Sequence, residues 1–249
     1  AVRIVNDFNN DTKKDLIIRG LYGQGDSLMI INNSLDKLFN ISFSGYEGSI
    51  AVGDFDKDGY EDDFALTYAD LHVYYHNSSG GWTKNWTNDI LDHQYPGGTP
   101  VISLDLDNDG YRNDIIASSG DPIKAFSSNA SGGTVLWSVD RASIPKVKGS
   151  GTLLAGDFNS DGLLEIVEGH NWFNKTYFYN NSGAVYWEID LTRPNINNYP
   201  YEQRILDANH DGIEDFLIGY DNKEIAIFQD AKCVAYFNDS ASYNMTWNS

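Results

Sequence analysis

One stretch, Asp54-Phe55-Asp56-Lys57-Asp58-Gly59-Tyr60-Glu61-Asp62-Asp63, followed by Phe64-Ala65-Leu66, constrains this chain more than any other. It sets carboxylates at its first, third and fifth positions, then a glycine, then further acids. Like charges this close repel strongly unless a divalent cation neutralises them. An all-oxygen set of this size suits Ca²⁺, with a backbone carbonyl near Tyr60 as a further ligand. Gly59 supplies the positive φ that turns the chain back around the ion. The loop recurs. Asp105, Asp107 and Asp109 precede Gly110 and close with Asp114; Asp157, Asn159 and Asp161 precede Gly162 and close with Glu165. Asp207, Asn209 and Asp211 precede Gly212 and close with Asp215. A degenerate first copy has Asp7, Asn9 and Asp11, then Thr12 instead of glycine, and closes with Asp15. An extra residue in the second and third copies leaves Asp62 and Asp63 as alternative closing ligands in the second. First aspartates at 7, 54, 105, 157 and 207 recur about every 50 residues, a period of propellers, solenoids or arrays.

An EF-hand requires a glutamate at position 12 and flanking helices. Position 12 here is Ile18, Ala65, Ile116, Glu168 and Ile218, and the flanks are short and β-rich. Each repeat reads as four short strands. In the second repeat they are predicted at 49–54, 63–68, 71–76 and 82–89; in the third at 99–104, 114–118, 123–127 and 134–139; in the fourth at 152–157, 165–168, 175–180 and 184–190. Asn and Gly between third and fourth strands mark hairpin turns. First strands such as Ile50-Ala-Val-Gly53 are small and apolar, as a crowded centre requires. Fourth strands carry aromatics, among them Phe39, Trp82, Trp86, Trp137 and Trp187, which suit packing between repeats or, alternatively, stacking on sugars. The fold expected is all-β: a single β-propeller domain over 1–249 with five four-stranded blades, at about 1–45, 46–96, 97–148, 149–200 and 201–249.

The pattern of apolar strand, acidic loop and second apolar strand at 50–66, 101–117, 153–167 and 203–218 resembles the FG-GAP repeat of integrin-alpha-type β-propellers. The match at 3–18 is poorer because of Thr12. The resemblance covers essentially the whole chain and implies a propeller with Ca²⁺, up to five ions, in hairpins between the first and second strands of each blade. It names no function, because function lives in sites grafted on folds.

The formal net charge is −19, yet 18 of the 36 acids are the candidate loop ligands, so much of the acidity reads as metal binding. Nucleic acid is a poor partner for such a surface. No run of apolar residues is long enough for a transmembrane helix. The opening Ala1-Val-Arg-Ile-Val5 does not read as a signal peptide and is compatible with a mature end. Cys233, the single cysteine, sits in an apolar run and reads as a small buried hydrophobe. Compartment comes from Asn-x-Ser/Thr acceptors at Asn10, Asn32, Asn40, Asn77, Asn85, Asn129, Asn174, Asn180, Asn238 and Asn244, where chance composition gives roughly three. Asn32, Asn77, Asn129 and Asn180 occupy one place in four successive repeats, a hairpin tip. These residues point to a secreted or cell-surface protein with N-linked glycans.

No nucleophile elbow, zinc-protease pair or phosphate-cradling glycine loop is present. His72, His76, His93, His170 and His210 lack metal-ligand spacing, and acids outside the loops, such as Asp70, Glu168 and Glu188, are not brought together by sequence. The expectation is a non-enzymatic, calcium-stabilised glycoprotein that self-associates into a coat or filament, with the tail Tyr243–Trp247 pairing on an exposed strand edge. A lectin or adhesin binding carbohydrate or protein ligands is the alternative, ahead of a polysaccharide-degrading enzyme.

Overall fold

The structure, a computed structural model, describes residues 2–20, 26–43, 48–68, 70–90, 100–118, 122–140, 151–170, 175–190, 200–208, 210–220, 225–229 and 232–237. They form five four-stranded antiparallel sheets, each a meander in which sequential strands pair. The first contains β1 (Val2–Asn6), β2 (Asp15–Arg19), β3 (Asp26–Ile31) and β4 (Lys37–Phe43). The second contains β5 (Ile50–Gly53), β6 (Asp63–Tyr68), β7 (Asp70–Asn77) and β8 (Gly81–Asn88). The third contains β9 (Val101–Leu104), β10 (Asp114–Ser118), β11 (Ile123–Asn129) and β12 (Gly132–Val139). The fourth contains β13 (Gly151–Gly156), β14 (Glu165–His170), β15 (Lys175–Tyr179) and β16 (Val185–Asp190). The fifth contains β17 (Pro200–Leu206), β18 (Asp215–Tyr220), β19 (Ile225–Gln229) and β20 (Lys232–Phe237). The chain divides into two compact units, 1–142 with three sheets and 143–249 with two.

In the second and third sheets the fourth strand is far more exposed than the three strands before it. In the second sheet β5 is buried throughout and β6 nearly so, whereas β8 is mostly exposed. A strand covered on both faces reads as a continuous apolar run rather than an alternation, which is why Ile50-Ala-Val-Gly53 carries no polar residue. Phe64 and Leu66 of β6 join Phe8, Ile17, Leu28, Ile30 and Trp82 in a core between the first and second sheets. Ala65 between them faces the other way, into a core with Phe55, Val73, Ile115 and Phe126 of the second and third sheets. In the other unit, Phe158, Val167 and Phe178 pack against Phe216, Ile218 and Phe228. Consecutive sheets therefore stack face to face within each unit.

The fourth-strand aromatics belong to this stacking. Phe39 lies 5.6 Å from Trp82 and 5.9 Å from Phe64. Trp86 donates its indole N–H to the Tyr75 hydroxyl (3.0 Å) and to Ser128 Oγ of the next sheet (3.1 Å). Trp187 lies 4.2 Å from Phe178 and 6.0 Å from Phe228. Of the two sequence readings of these rings, packing between repeats is the one the contacts describe.

One irregularity repeats in all five sheets. The register between third and fourth strands slips at Ile30/Ile31, Val73/Tyr74, Ala125/Phe126, Phe178/Tyr179 and Ile227/Phe228. The unpaired residues on the fourth strands are Leu38, Asn85, Leu136, Tyr186 and Val234, each a β-bulge that bends the outer strand.

Candidate metal centre

The acidic loops join the first strand of each sheet to the second, and the closing acid is always the first residue of the second strand: Asp15, Asp63, Asp114, Glu165 and Asp215. Each pairs across the ladder with the residue just before the first aspartate, as Gly53 does with Asp63 and Asn6 with Asp15. In the second loop the carboxylate of Asp54 accepts the N–H of Asp58 (2.9 Å) and of Gly59 (3.0 Å). Asp56 Oδ1 accepts from Asp58 N (3.1 Å), and Asp58 Oδ1 accepts from Tyr60 N (3.0 Å). The closing Asp63 accepts from Phe55 N at 2.8 Å and Asp56 N at 3.0 Å. Asp105, Asp107, Asp109 and Asp114 repeat the set on Asp109, Gly110, Tyr111 and Leu106 N–H groups. So do Asp157, Asn159, Asp161 and Glu165, and so do Asp7, Asn9, Asp11 and Asp15. In the fifth loop Asp207, Asp211 and Asp215 make the corresponding bonds; Asn209 lies outside the described residues.

Two positions per loop are left-handed. The sixth is Thr12 (φ +70°), Gly59, Gly110, Gly162 or Gly212, as the sequence led us to expect of the glycines. The fourth is Asn10, Lys57, Asn108, Ser160 or His210, at φ between 57° and 62°. Sequence reasoning missed this second position because no residue type marks it. His210 is exposed there.

Burial grades across each loop. Asp11, Asp58, Asp109, Asp161 and Asp211 are exposed, whereas Asp15, Asp63, Asp114, Glu165 and Asp215 are buried. Loss of hydration drives the Asp63 carboxyl up to about 8, against the N–H of His76 and with the charges of Asp56 and Asp62 adding to the rise. Glu165 is pushed up to about 7, again mainly by burial. Burial also raises Asp15, Asp54, Asp56 and Asp114. Ligand oxygens of Asp54, Asp56 and Asp63 lie within 4.8 Å of one another, as do those of Asp105, Asp107 and Asp114. Oδ1 of Asp15 and Oδ1 of Asp114 are buried and meet no donor in full hydrogen-bond geometry among the described residues, the Asn33 N–H and the Ser127 hydroxyl giving these carboxyls only partial compensation. A buried carboxylate oxygen without a donor needs a proton or a cation, so these residues fit a hard divalent ion.

The structure separates the two alternative closing acids of the second loop. Asp63 takes the place; Asp62 is turned away, its carboxylate 2.8 Å from His76 Nδ1 and accepting from Asn10 Nδ2 at 3.0 Å. Asn113, at the same place in the third loop, donates to Ser127 Oγ and to the Ser128 carbonyl. The extra residue of these two loops thus supplies a buried polar tie to the neighbouring strand rather than a ligand.

Neighbouring loops also touch. Asn10 reaches Asp62, Asn6 Nδ2 donates to the Glu61 carbonyl, and Lys57 forms an ion pair with Asp109. Asp54 N donates to the Arg112 carbonyl at 3.1 Å, and Asp157 N to Glu214 Oε2 at 2.8 Å. A Cβ at Gly53 would overlap the Arg112 carbonyl oxygen, which explains a glycine where Asn6 stands in the first repeat.

Asn32, Asn77, Asn129 and Asn180 lie at hairpin tips as expected, and their side chains cap the turns. Each Oδ1 accepts the N–H two residues on, from Ser34 (2.9 Å), Ser79 (3.0 Å), Ser131 (2.8 Å) and Ser182 (3.1 Å). Such an Asx turn is a reason of its own for asparagine at this place. Asn10, Asn40 and Asn85 are exposed, while Asn174, Asn238, Asn244 and the tail 241–249 lie outside the described residues.

No family model and no curated protein matches the chain. Solved structures do. The chain is similar to BBS1N, determined in complex with ARL6DN, at TM-score 0.59 and 10% identity over 95% of this chain and 68% of that one. It is similar to the V. cholerae biofilm matrix protein Bap1 at 0.57 and 17%, over 94% of this chain and 38% of Bap1. It is similar to the Bacillus licheniformis rhamnogalacturonan lyase PL11 at 0.55 and 16%, over 90% of this chain and 44% of the lyase. At these identities the likeness is one of fold, all-β and propeller-like.

Proposed function

We propose that this chain is an extracellular, calcium-stabilised and N-glycosylated surface protein of the FG-GAP type, with a structural role as a coat or filament subunit. In this reading the five sheets close into one five-bladed propeller, and each loop from Asp7, Asp54, Asp105, Asp157 and Asp207 takes one Ca²⁺. The observation that carries it is the repetition of one hydrogen-bond scaffold around five sets of carboxylates, each with its closing acid buried. Backbone N–H groups aim the first, third and fifth side chains of the first four loops and the first and fifth of the last, and an ion held there would tie first strand to second. Calcium is favoured over magnesium because it accepts many oxygen ligands in an adaptable arrangement. Glu168, an acid outside the loops, is fully buried and accepts from Tyr179 Oη at 2.9 Å.

Metal analysis of the native protein should find up to five Ca²⁺ per chain, and electron micrographs should show regular oligomers. A metal-free preparation with an unchanged melting curve would overturn the calcium reading; a monomer at all concentrations would overturn assembly. Peptide mass spectrometry should find glycans at Asn129 and Asn180, whose described side-chain hydrogen bonds use Oδ1 alone. Bare asparagines at both sites, with other acceptors occupied, would restrict their role to turn capping.

A further inference from the structure

A cavity of about 270 Å³ opens among the ends of β1, β5 and β9 in the first unit. Ile50 and Val52 give it an apolar wall, and Asn6, Glu61, Ser103 and Arg112 give it polar ones. We infer that it is a binding site for a neutral, monosaccharide-sized polyol, a role that stands apart from calcium binding and assembly.

Size comes first. The volume falls just below the roughly 300–1,000 Å³ of sites for drug-sized ligands, which leaves room for about one sugar ring. The charges then select among small ligands. Glu61 and Arg112 approach only to 3.7 Å, with both side chains half exposed. A pair this open and hydrated contributes little to stability and exchanges readily for ligand contacts. Arg112 Nε is already used on the Ser103 carbonyl at 3.1 Å, so its terminal nitrogens are the donors a ligand meets. Ser103 Oγ donates to the Val52 carbonyl at 2.5 Å and Asn6 Nδ2 to that of Glu61, which turns their remaining oxygens into acceptors.

An anionic ligand would meet the Glu61 carboxylate in the cavity wall. A cationic ligand would leave Arg112 opposed. Hydroxyl groups donate to Glu61 and accept from Arg112 at once, and the carbon-bound hydrogens of a ring face suit Ile50 and Val52.

The test uses the full, calcium-loaded chain, isotopically labelled for amide NMR. Methyl glycosides of glucose, galactose, mannose and fucose are titrated separately, with galacturonate, glucosamine and glycerol as comparators. At least one neutral glycoside should shift the Ser103 and Arg112 amides saturably. Glu61→Ala and Arg112→Ala should each weaken it about tenfold or more, the loss expected for one hydrogen bond to a charged group. Both substitutions fall on half-exposed side chains, and unchanged melting temperatures would confirm that the fold survives. The assignment fails if no neutral glycoside saturates, if galacturonate binds more tightly, or if both folded variants bind normally. None of these results touches the calcium-dependent melting, so the two readings fail separately.

Discussion

The first and second acidic loops follow one backbone path with unlike residues. The first has Asn9 at its third position and Thr12 at its sixth, held at φ +70°; the second has Asp56 and Gly59 at these places. Both grip the same N–H groups. Asp7 accepts from Asp11 (3.1 Å) and Thr12 (2.7 Å), as Asp54 does from Asp58 and Gly59. The first carboxylate, which accepts two N–H groups around the bend, is therefore the shared determinant of the path, and glycine only lowers its cost. The loops differ in charge and burial. Asp54 is buried where Asp7 is half-buried, and Asp63 is driven up to about 8.

The largest effect expected of this difference is on the first aspartates themselves. Asp54→Ala removes the proposed ligand and the acceptor of two N–H groups from a buried site and should cost about 3 kcal/mol. Asp7→Ala should cost about half of that. Thermal melts with calcium and with chelator would show it, since a saturated site adds about 2.7 kcal/mol at 100 times its dissociation constant. Equal losses from the two variants would break the comparison.

A somewhat smaller effect appears against pH. Without a cation, Asp63 is held near 8 and Glu165 near 7, both raised from ordinary values of 3.8 and 4.5. The folded chain then keeps protons that the unfolded chain releases. That stability is fully present below pH 4 and is lost as pH rises through 7 and 8. In the calcium-bound state proposed above the ion would replace those protons, so chelation should lower the melting temperature more at pH 8 than at pH 5. Asp63→Asn should flatten this dependence more than Asp15→Asn does. A chelator effect that shrinks with rising pH would contradict the sign.

The smallest effect sharpens the role of glycine. Thr12→Gly should stabilise the first loop by about 1 kcal/mol, because it relieves a left-handed Thr, and should raise calcium occupancy there. Weaker first-site occupancy in isothermal titration would instead give Thr12 a part in the site.

Period, strand positions and the placement of the acidic loops were legible because each rests on a strong local rule. Asp63–Tyr68 and Asp114–Ser118 form the strands that the apolar runs predict, and the closing acids mark their first residues. What sequence left open depends on neighbours. Asp62 and Asp63 are equivalent in type; only the pairing of Gly53 with Asp63 decides between them. Gly53 looks like one more small strand residue until Arg112 of the next repeat is placed against it. The aligned asparagines show the converse. Their register points to glycans, yet a turn that needs a side-chain acceptor aligns them equally well.

The bulges on the fourth strands bear on solubility. A straight outer strand offers an unbroken row of backbone groups, and any other extended chain can extend the sheet there without regard to sequence. With Leu38, Asn85, Leu136, Tyr186 and Val234 pushed out of register, every such row is cut into two short segments. An incoming strand can match one segment or the other but not both in a single straight run. The five sheets therefore discourage indiscriminate sticking while still permitting a short, shaped partner. Any ordered assembly of this protein must use either such a short match or surfaces away from the outer edges.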